Sequence, residues 1–228
     1  NTLLSLLRGY HVDLGTVAAQ VISILFVILC ILPLHELAHA WVANKLGDPT
    51  AKLEGRLTFN PLASVDPMGA LALLLFGFGW AKPVPVDSRY FRKPKRDMAI
   101  TALAGPVSNL LAAFVGAVLV AVMEAFSPYN GFTNFVYNVL WYYVVVNISL
   151  AVFNLIPMPP LDGSRIVAAF LSDRAMYTYY RYQNLFVMVM FLLLLSGALS
   201  GPLATAQTFF ANIIFSLARA PFQLFGLL

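Results

Sequence analysis

Cysteine is almost missing from this sequence: Cys30 stands alone in 228 residues. That excludes an internal disulfide and any zinc site built from cysteines. Charge is scarce as well. Charged residues make up 11% of the chain and apolar ones 60%, against about 25% and about 45–50% in soluble domains. So few charges cannot cover the surface of a soluble protein with so large an apolar share. Disorder is excluded by the same excess, because disordered chains are poor in apolar residues and rich in charge. Internal repeats, low-complexity linkers and a segment with the look of a separate soluble domain are also missing. What remains is a chain whose solvent is a lipid bilayer.

The positive balance, +4 overall, does not indicate nucleic acid. Lys82, Arg89, Arg92, Lys93, Lys95 and Arg96 stand against Asp87 and Asp97, so residues 82–97 alone carry that whole excess. A short basic loop beside apolar runs is a topology signal.

Val17 to Leu34 is apolar apart from Gln20 and Ser23, and the run continues to Trp41. It is long enough to span a membrane, which takes roughly 20 residues. A cleaved signal peptide would have an apolar core of only about 7–15 residues and a small-residue cleavage site, and neither fits well. Met98–Phe126 and Val136–Ile156 are two further spans, and Leu185–Leu199 is a shorter candidate. Pro202–Leu228 is apolar but carries Arg219, so it either spans or lies in the interface. Met68–Trp80 is too short to cross, and reads as a re-entrant segment. If it enters and leaves on one side, then loops 45–66, 82–97 and 165–181 share a side. Together they hold twelve of the fourteen lysines and arginines, which makes them cytoplasmic and 127–134 external. Residues 55–60 alternate polar and apolar before Pro61 and read as a short strand, and 84–87 is held extended by its prolines. These two segments form the expected β-hairpin element beside the membrane.

The chemistry concentrates in His35-Glu36-Leu37-Ala38-His39. On a helix, His35 and His39 lie one turn apart on one face and suit one zinc ion. Glu36 is then placed to act on a water in the open coordination position. Two histidines and a glutamate at the end of a membrane-spanning run are costly there and call for a functional reason. A zinc hydrolase uses three protein ligands. His11 precedes the first span, on the opposite side, and the acidic candidates are Asp66, Glu124 and Asp162. Asp162 closes Asn154-Leu-Ile-Pro-Met-Pro-Pro-Leu-Asp-Gly163, where three prolines must break the third span. A broken helix at membrane depth implies a polar or wet cavity, which favours Asp162 as the third ligand. The alternative is that Asp162 caps a following short helix.

Together these residues resemble the site-2 proteases, intramembrane zinc metalloproteases. HELAHA at 35–40 is similar to the family's metal-binding helix, and Asn154–Gly163 to its third-ligand segment. Gly105-Pro106-Val107-Ser108-Asn109 is similar to its Gly-Pro-x-x-Asn element. The resemblance covers roughly residues 20–175. It implies an all-α polytopic membrane protein with a core of three transmembrane helices carrying the zinc site, plus further C-terminal helices and the short re-entrant element. It implies one Zn2+ held by His35, His39 and Asp162, with Glu36 as general base. Asn154 and Asn109 then lie close to substrate and donate to its carbonyl or oxyanion, although Asn109 equally serves as interhelical glue.

The expected organisation is a single membrane-embedded domain over 1–228, with its core at about 17–175 and additional membrane segments over 183–228. No PDZ-like insertion or nucleotide-sensing domain is visible, which resembles the compact members of the family. The chain begins at Asn1, not Met, so the expectation is either a missing N-terminal portion or a trimmed chain. The implied substrate is a transmembrane protein or remnant signal peptide, the setting a prokaryotic plasma membrane, with no nucleic acid as partner. Two other readings compete: a proton-coupled transporter using the same four residues as a relay, and an inactive relative that binds membrane segments. A transporter would be expected to show internal repeats, and the intact ligand and base set argues against inactivity.

Overall fold

The structure, a computed structural model, describes residues 25–76, 79–128 and 130–227. His11 and residues 17–24 of the expected first span lie outside the described residues. All regular structure among the described residues is helical. The chain falls into two compact units, residues 1–97 and 98–228.

In the first unit a π-helical turn, Val27–Ile31, runs directly into α1, Leu32–Lys45. Pro33 sits in the first turn of α1, where its missing N–H is tolerated, and the wider turn ahead of it shifts the helical phase. Helix α1 ends on Gly47, whose φ of 111° lies in the left-handed region, and Asp48 N–H returns to the Ala43 carbonyl at 3.0 Å. Short helices α2 (Thr50–Leu53) and α3 (Pro61–Ser64) pack on α1, and α4 (Pro67–Phe76) follows.

Two buried side chains pin the 82–87 segment to this unit. The Asp48 carboxylate accepts the Thr50 N–H and hydroxyl through Oδ1, and the Asp87 N–H at 2.8 Å through Oδ2. The Arg56 guanidinium donates to the carbonyls of Lys82 at 2.6 Å and Pro83 at 3.1 Å. Val84 thereby packs with Ala40 and Ala51. Arg89 pairs with Asp87 and holds its carboxyl below the usual range.

Residues 55–60 do not form the expected strand, and the described residues contain no β-hairpin. Gly55 turns left-handed at φ 69°, Arg56 folds inward, and the Asn60 side chain accepts the Leu62 N–H to start α3. Alternation of polar and apolar residues was the only strand signal, and local turn chemistry overrides it. What pairing exists is one residue on each side: Val65 bridges Ala81, and Lys82 N–H donates to the Ser64 carbonyl at 2.8 Å.

The same bridge brings the two ends of the 68–80 segment together. The Asp66 carboxylate accepts the Gly69 N–H at 2.8 Å at the start of α4. A Cβ on Gly69 would overlap the Trp80 carbonyl, and one on Gly79 would overlap the Gly69 carbonyl. Glycine at both positions is what allows this backbone approach.

Helix α5 (Pro94–Phe126) leads into the second unit. Pro94 takes its first position, and the Asp97 carboxylate reaches back to the Lys93 N–H at 2.9 Å. Helix α6 (Gly131–Asn154) opens with a reciprocal cap between Asn130 and Thr133. These two helices are long and apolar enough to cross a membrane. After α6 come α7 (Asp162–Ala168), α8 (Asp173–Arg181), α9 (Gln183–Leu195) and α10 (Ser200–Leu224). Helices α9 and α10 meet at 86° and add a third crossing if taken as one broken span.

The core of this unit is built from Ala113, Ala117 and Val120 of α5, Val144, Ile148 and Val152 of α6, and Ile214, Phe215 and Ala218 of α10. Small residues let helix backbones approach where the hydrophobic effect gives little drive. Gly116 shows the need: a Cβ there would press on Tyr143 and Val144. Arg219 of α10 forks onto Glu124 of α5 at 2.6 and 2.8 Å, and Tyr137 of α6 donates its hydroxyl to the same carboxylate at 3.2 Å. The isolated charge in the last apolar run is therefore neutralised within the bundle.

Candidate metal and catalytic site

Helix α1 is polar inside and apolar outside. His35, Glu36 and His39 are 5%, 9% and 6% exposed, while Trp41 on the opposite face is 53% exposed. A water-soluble helix arranges these faces the other way round. Ala40 and Ala43 complete the buried stripe. The two imidazoles lie edge to face with their Nε2 atoms 3.0 Å apart. Two nitrogens sharing a tetrahedral zinc ion lie about 3.4 Å apart, from a Zn–N length of about 2.05 Å. The pair fits one ion with an adjustment of a few tenths of an ångström. Glu36, the residue after His35, is buried on the same stripe.

Two of the acidic alternatives are already engaged elsewhere. Asp66 caps α4 through Gly69, and Glu124 is held by Arg219 and Tyr137. Asp162 occupies the first helical position of α7, where a negative charge is favoured by the helix dipole. The N-cap is Leu161, not Asp162. The capping role weighed from the sequence is therefore not the one Asp162 performs.

Local structure explains how Asp162 is held. Pro157, Pro159 and Pro160 deny the 155–161 segment its helical donors, and α6 stops at Asn154. The N-terminus of α7 then folds back against the end of α6. A Cβ on Gly163 would overlap the carbonyl oxygens of Leu155 and Ile156. Ser164 is buried and donates its hydroxyl to the Leu161 carbonyl at 2.7 Å. The Tyr179 hydroxyl of α8 donates to the Pro157 carbonyl at 2.8 Å.

Gly163→Ala should therefore lower the thermal midpoint by an amount corresponding to about 1–3 kcal/mol, the usual cost of overpacking. Gly201→Ala is the control, because a Cβ there meets nothing. Equal melting of the two variants would refute the close approach at Gly163.

Asn154 ends α6 half-buried, with its amide donated to the Leu150 carbonyl at 3.0 Å. Asn109 is fully buried in α5, and neither its Nδ2 nor its Oδ1 has a hydrogen-bond partner among the described residues. Asn147, which the sequence reading passed over, is equally buried. Its Nδ2 donates to the Tyr143 carbonyl at 2.8 Å and its Oδ1 is unpaired among the described residues. Its position seven residues before Asn154, two turns along the same helix face, was the available signal.

Residues 23–197 match the model of peptidase family M50, which is more than half of the chain. The chain belongs to peptidase family M50. Among M50-like relatives, it is 46% identical over 136 residues to YwhC of Bacillus subtilis, covering 59% of this chain and 62% of that one. Rip2 of Mycobacterium tuberculosis is 30% identical over 188 residues, covering 77% of this chain and 68% of Rip2. MJ0392 of Methanocaldococcus jannaschii is 31% identical over 157 residues, covering 68% of this chain and 36% of MJ0392. YwhC and Rip2 carry provisional names as zinc metalloproteases, and MJ0392 is named one outright. The matched part thus spans less than two thirds of YwhC and about a third of MJ0392. No solved structure matches this M50 chain significantly.

Proposed function

We propose that the chain is an intramembrane zinc endopeptidase that hydrolyses peptide bonds in or near the transmembrane segments of membrane proteins. The observation that carries this reading is the inverted helix α1, which buries His35, Glu36 and His39 behind an apolar outer face. Membership of family M50 points the same way.

One Zn2+ would be held by His35, His39 and Asp162. Each offers one ligand atom of a kind that zinc takes, two imidazole nitrogens and a carboxylate oxygen. Bound zinc supplies a Lewis acid that polarises the scissile carbonyl and makes water acidic enough to attack near neutral pH. Glu36 takes the proton of the attacking water at its carboxylate and delivers it to the leaving amine. Asn154 and Asn109 donate to the substrate carbonyl as it gains negative charge. In Asn109 this role draws support from the unpaired amide in a fully buried side chain, since such groups are normally hydrogen-bonded.

The core comprises three spans: one ends in α1, and α5 and α6 supply the others. The 68–80 segment is re-entrant, supported by the meeting of its ends at Val65 and Ala81. Loops 45–66, 82–97 and 165–181 face the cytoplasm of a prokaryotic cell. A substrate helix must unwind before its backbone can be attacked. The 82–87 segment offers it an edge, because the backbone groups of Val84, Pro85 and Val86 make no hydrogen bonds among the described residues.

Zinc content of the purified protein tests the assignment. The wild type should carry one ion and cleave a transmembrane peptide in proteoliposomes. His35→Ala should lose both. Zinc retained at full occupancy in that variant would refute the assignment.

A further inference from the structure

Outside the site just described, the second unit contains an open groove of about 560 Å³ where α8 meets α9. Its two ends differ in chemistry. Ser172 and Arg174 line one end, and Tyr179, Tyr182 and Phe186 line the other, with Thr178 between them. None of the ion pairs among the described residues uses the Arg174 guanidinium. Ser172 accepts the Ala175 N–H, which leaves its hydroxyl proton available.

Helix α9 continues the aromatic end as an exposed apolar stripe. Leu185, Met188, Leu192 and Leu195 recur every three or four residues and are 49%, 54%, 59% and 75% exposed. Helix α8 is different in kind, an amphipathic segment rich in tyrosine and arginine, the composition of a helix lying in the headgroup region. The 165–181 stretch carries three arginines against one aspartate. An occupant of this groove meets a cationic, hydroxylated end and an aromatic end leading onto an apolar helix.

We propose that this groove binds an anionic phospholipid, with the phosphate on Arg174 and Ser172 and the glycerol and upper acyl chain on Tyr179, Tyr182 and Phe186. Charge complementarity selects an anionic headgroup over a neutral one, and continuity with the exposed apolar stripe selects a lipid over a free anion. One lining residue connects the groove to the segment bearing Asp162, because Tyr179 also donates to the Pro157 carbonyl. Lipid packed against the Tyr179 ring restrains that bond, and this consequence rests on the function proposed above. Binding itself does not.

The test is native mass spectrometry of the full chain released from bilayers containing equal amounts of POPC and POPG. The wild type should retain one POPG in preference to POPC. Arg174→Gln should weaken that retention about fivefold, the effect of removing one arginine from an anionic surface, and Arg174→Lys should largely preserve it. Ala175→Trp, which fills the groove from an exposed position, should abolish retention while leaving zinc content and the thermal midpoint intact. Equal retention of POPC and POPG, or retention unchanged in both Arg174→Gln and Ala175→Trp, would overturn the proposal. So would cross-linking of a transmembrane peptide at position 175 with POPG retention unaffected. Because lipid retention is read without proteolysis, an inactive protein that still selects POPG separates this proposal from the one on catalysis.

Discussion

Glu36→Gln is expected to keep zinc at wild-type occupancy and to slow peptide hydrolysis by roughly 10²–10⁴-fold, the range for removal of a general base. Glutamine preserves the volume and one oxygen of the side chain, so the buried stripe of α1 has no reason to repack. It cannot accept a proton at neutral pH. The pair of measurements separates two roles that a glutamate between metal ligands could fill. A base loses activity and leaves the metal; a ligand loses both. Zinc content by atomic absorption, measured alongside cleavage of a transmembrane peptide, reads the two directly. Loss of zinc in Glu36→Gln would make Glu36 ligating or structural. The same variant, if it binds but cannot cut, should co-purify with its substrate.

Asp162→Ala is expected to weaken zinc binding by more than roughly 100-fold, beyond the 10–100-fold typical of losing an outer-shell partner. Two histidines hold zinc weakly without a third protein ligand. Competition with a chelator of known affinity measures the change. The informative comparison is with Asp66→Ala and Glu124→Ala. Those carboxylates cap α4 and pair with Arg219, so their removal should alter stability and leave zinc affinity unchanged. If Asp66→Ala loses zinc and Asp162→Ala keeps it, the third ligand has been misassigned.

Much of this was legible in the sequence because membrane solvation imposes strong and simple signals. An apolar run of about 20 residues has few alternatives to a spanning helix. A His-Glu-x-x-His pattern inside such a run has few bland explanations, because each polar group costs free energy there. The breaks at Pro157, Pro159 and Pro160 were equally readable, since proline removes donors wherever it stands. The family was accessible for the same reason: three short motifs on three apolar runs, in order.

The tertiary structure decided matters that depend on residues distant in sequence. Polar alternation at 55–60 suggested a strand, but a strand requires a partner ladder, and Arg56 instead turns inward to the carbonyls of Lys82 and Pro83. Arg219 read as an awkward charge until Glu124, 95 positions away, supplied its counter-ion. The π turn before Pro33, the close approach at Gly163 and the burial of Asn147 left only faint local traces. Each is set by packing geometry, and periodicity along one segment does not encode which backbone will lie against it. The sequence by itself determined the solvent, the number of apolar runs and the chemistry of the α1 stripe, because those follow from residue type and spacing alone. Which carboxylates were already engaged, where the chain turned back on itself, and how α7 was seated on the end of α6 were decided only by the fold.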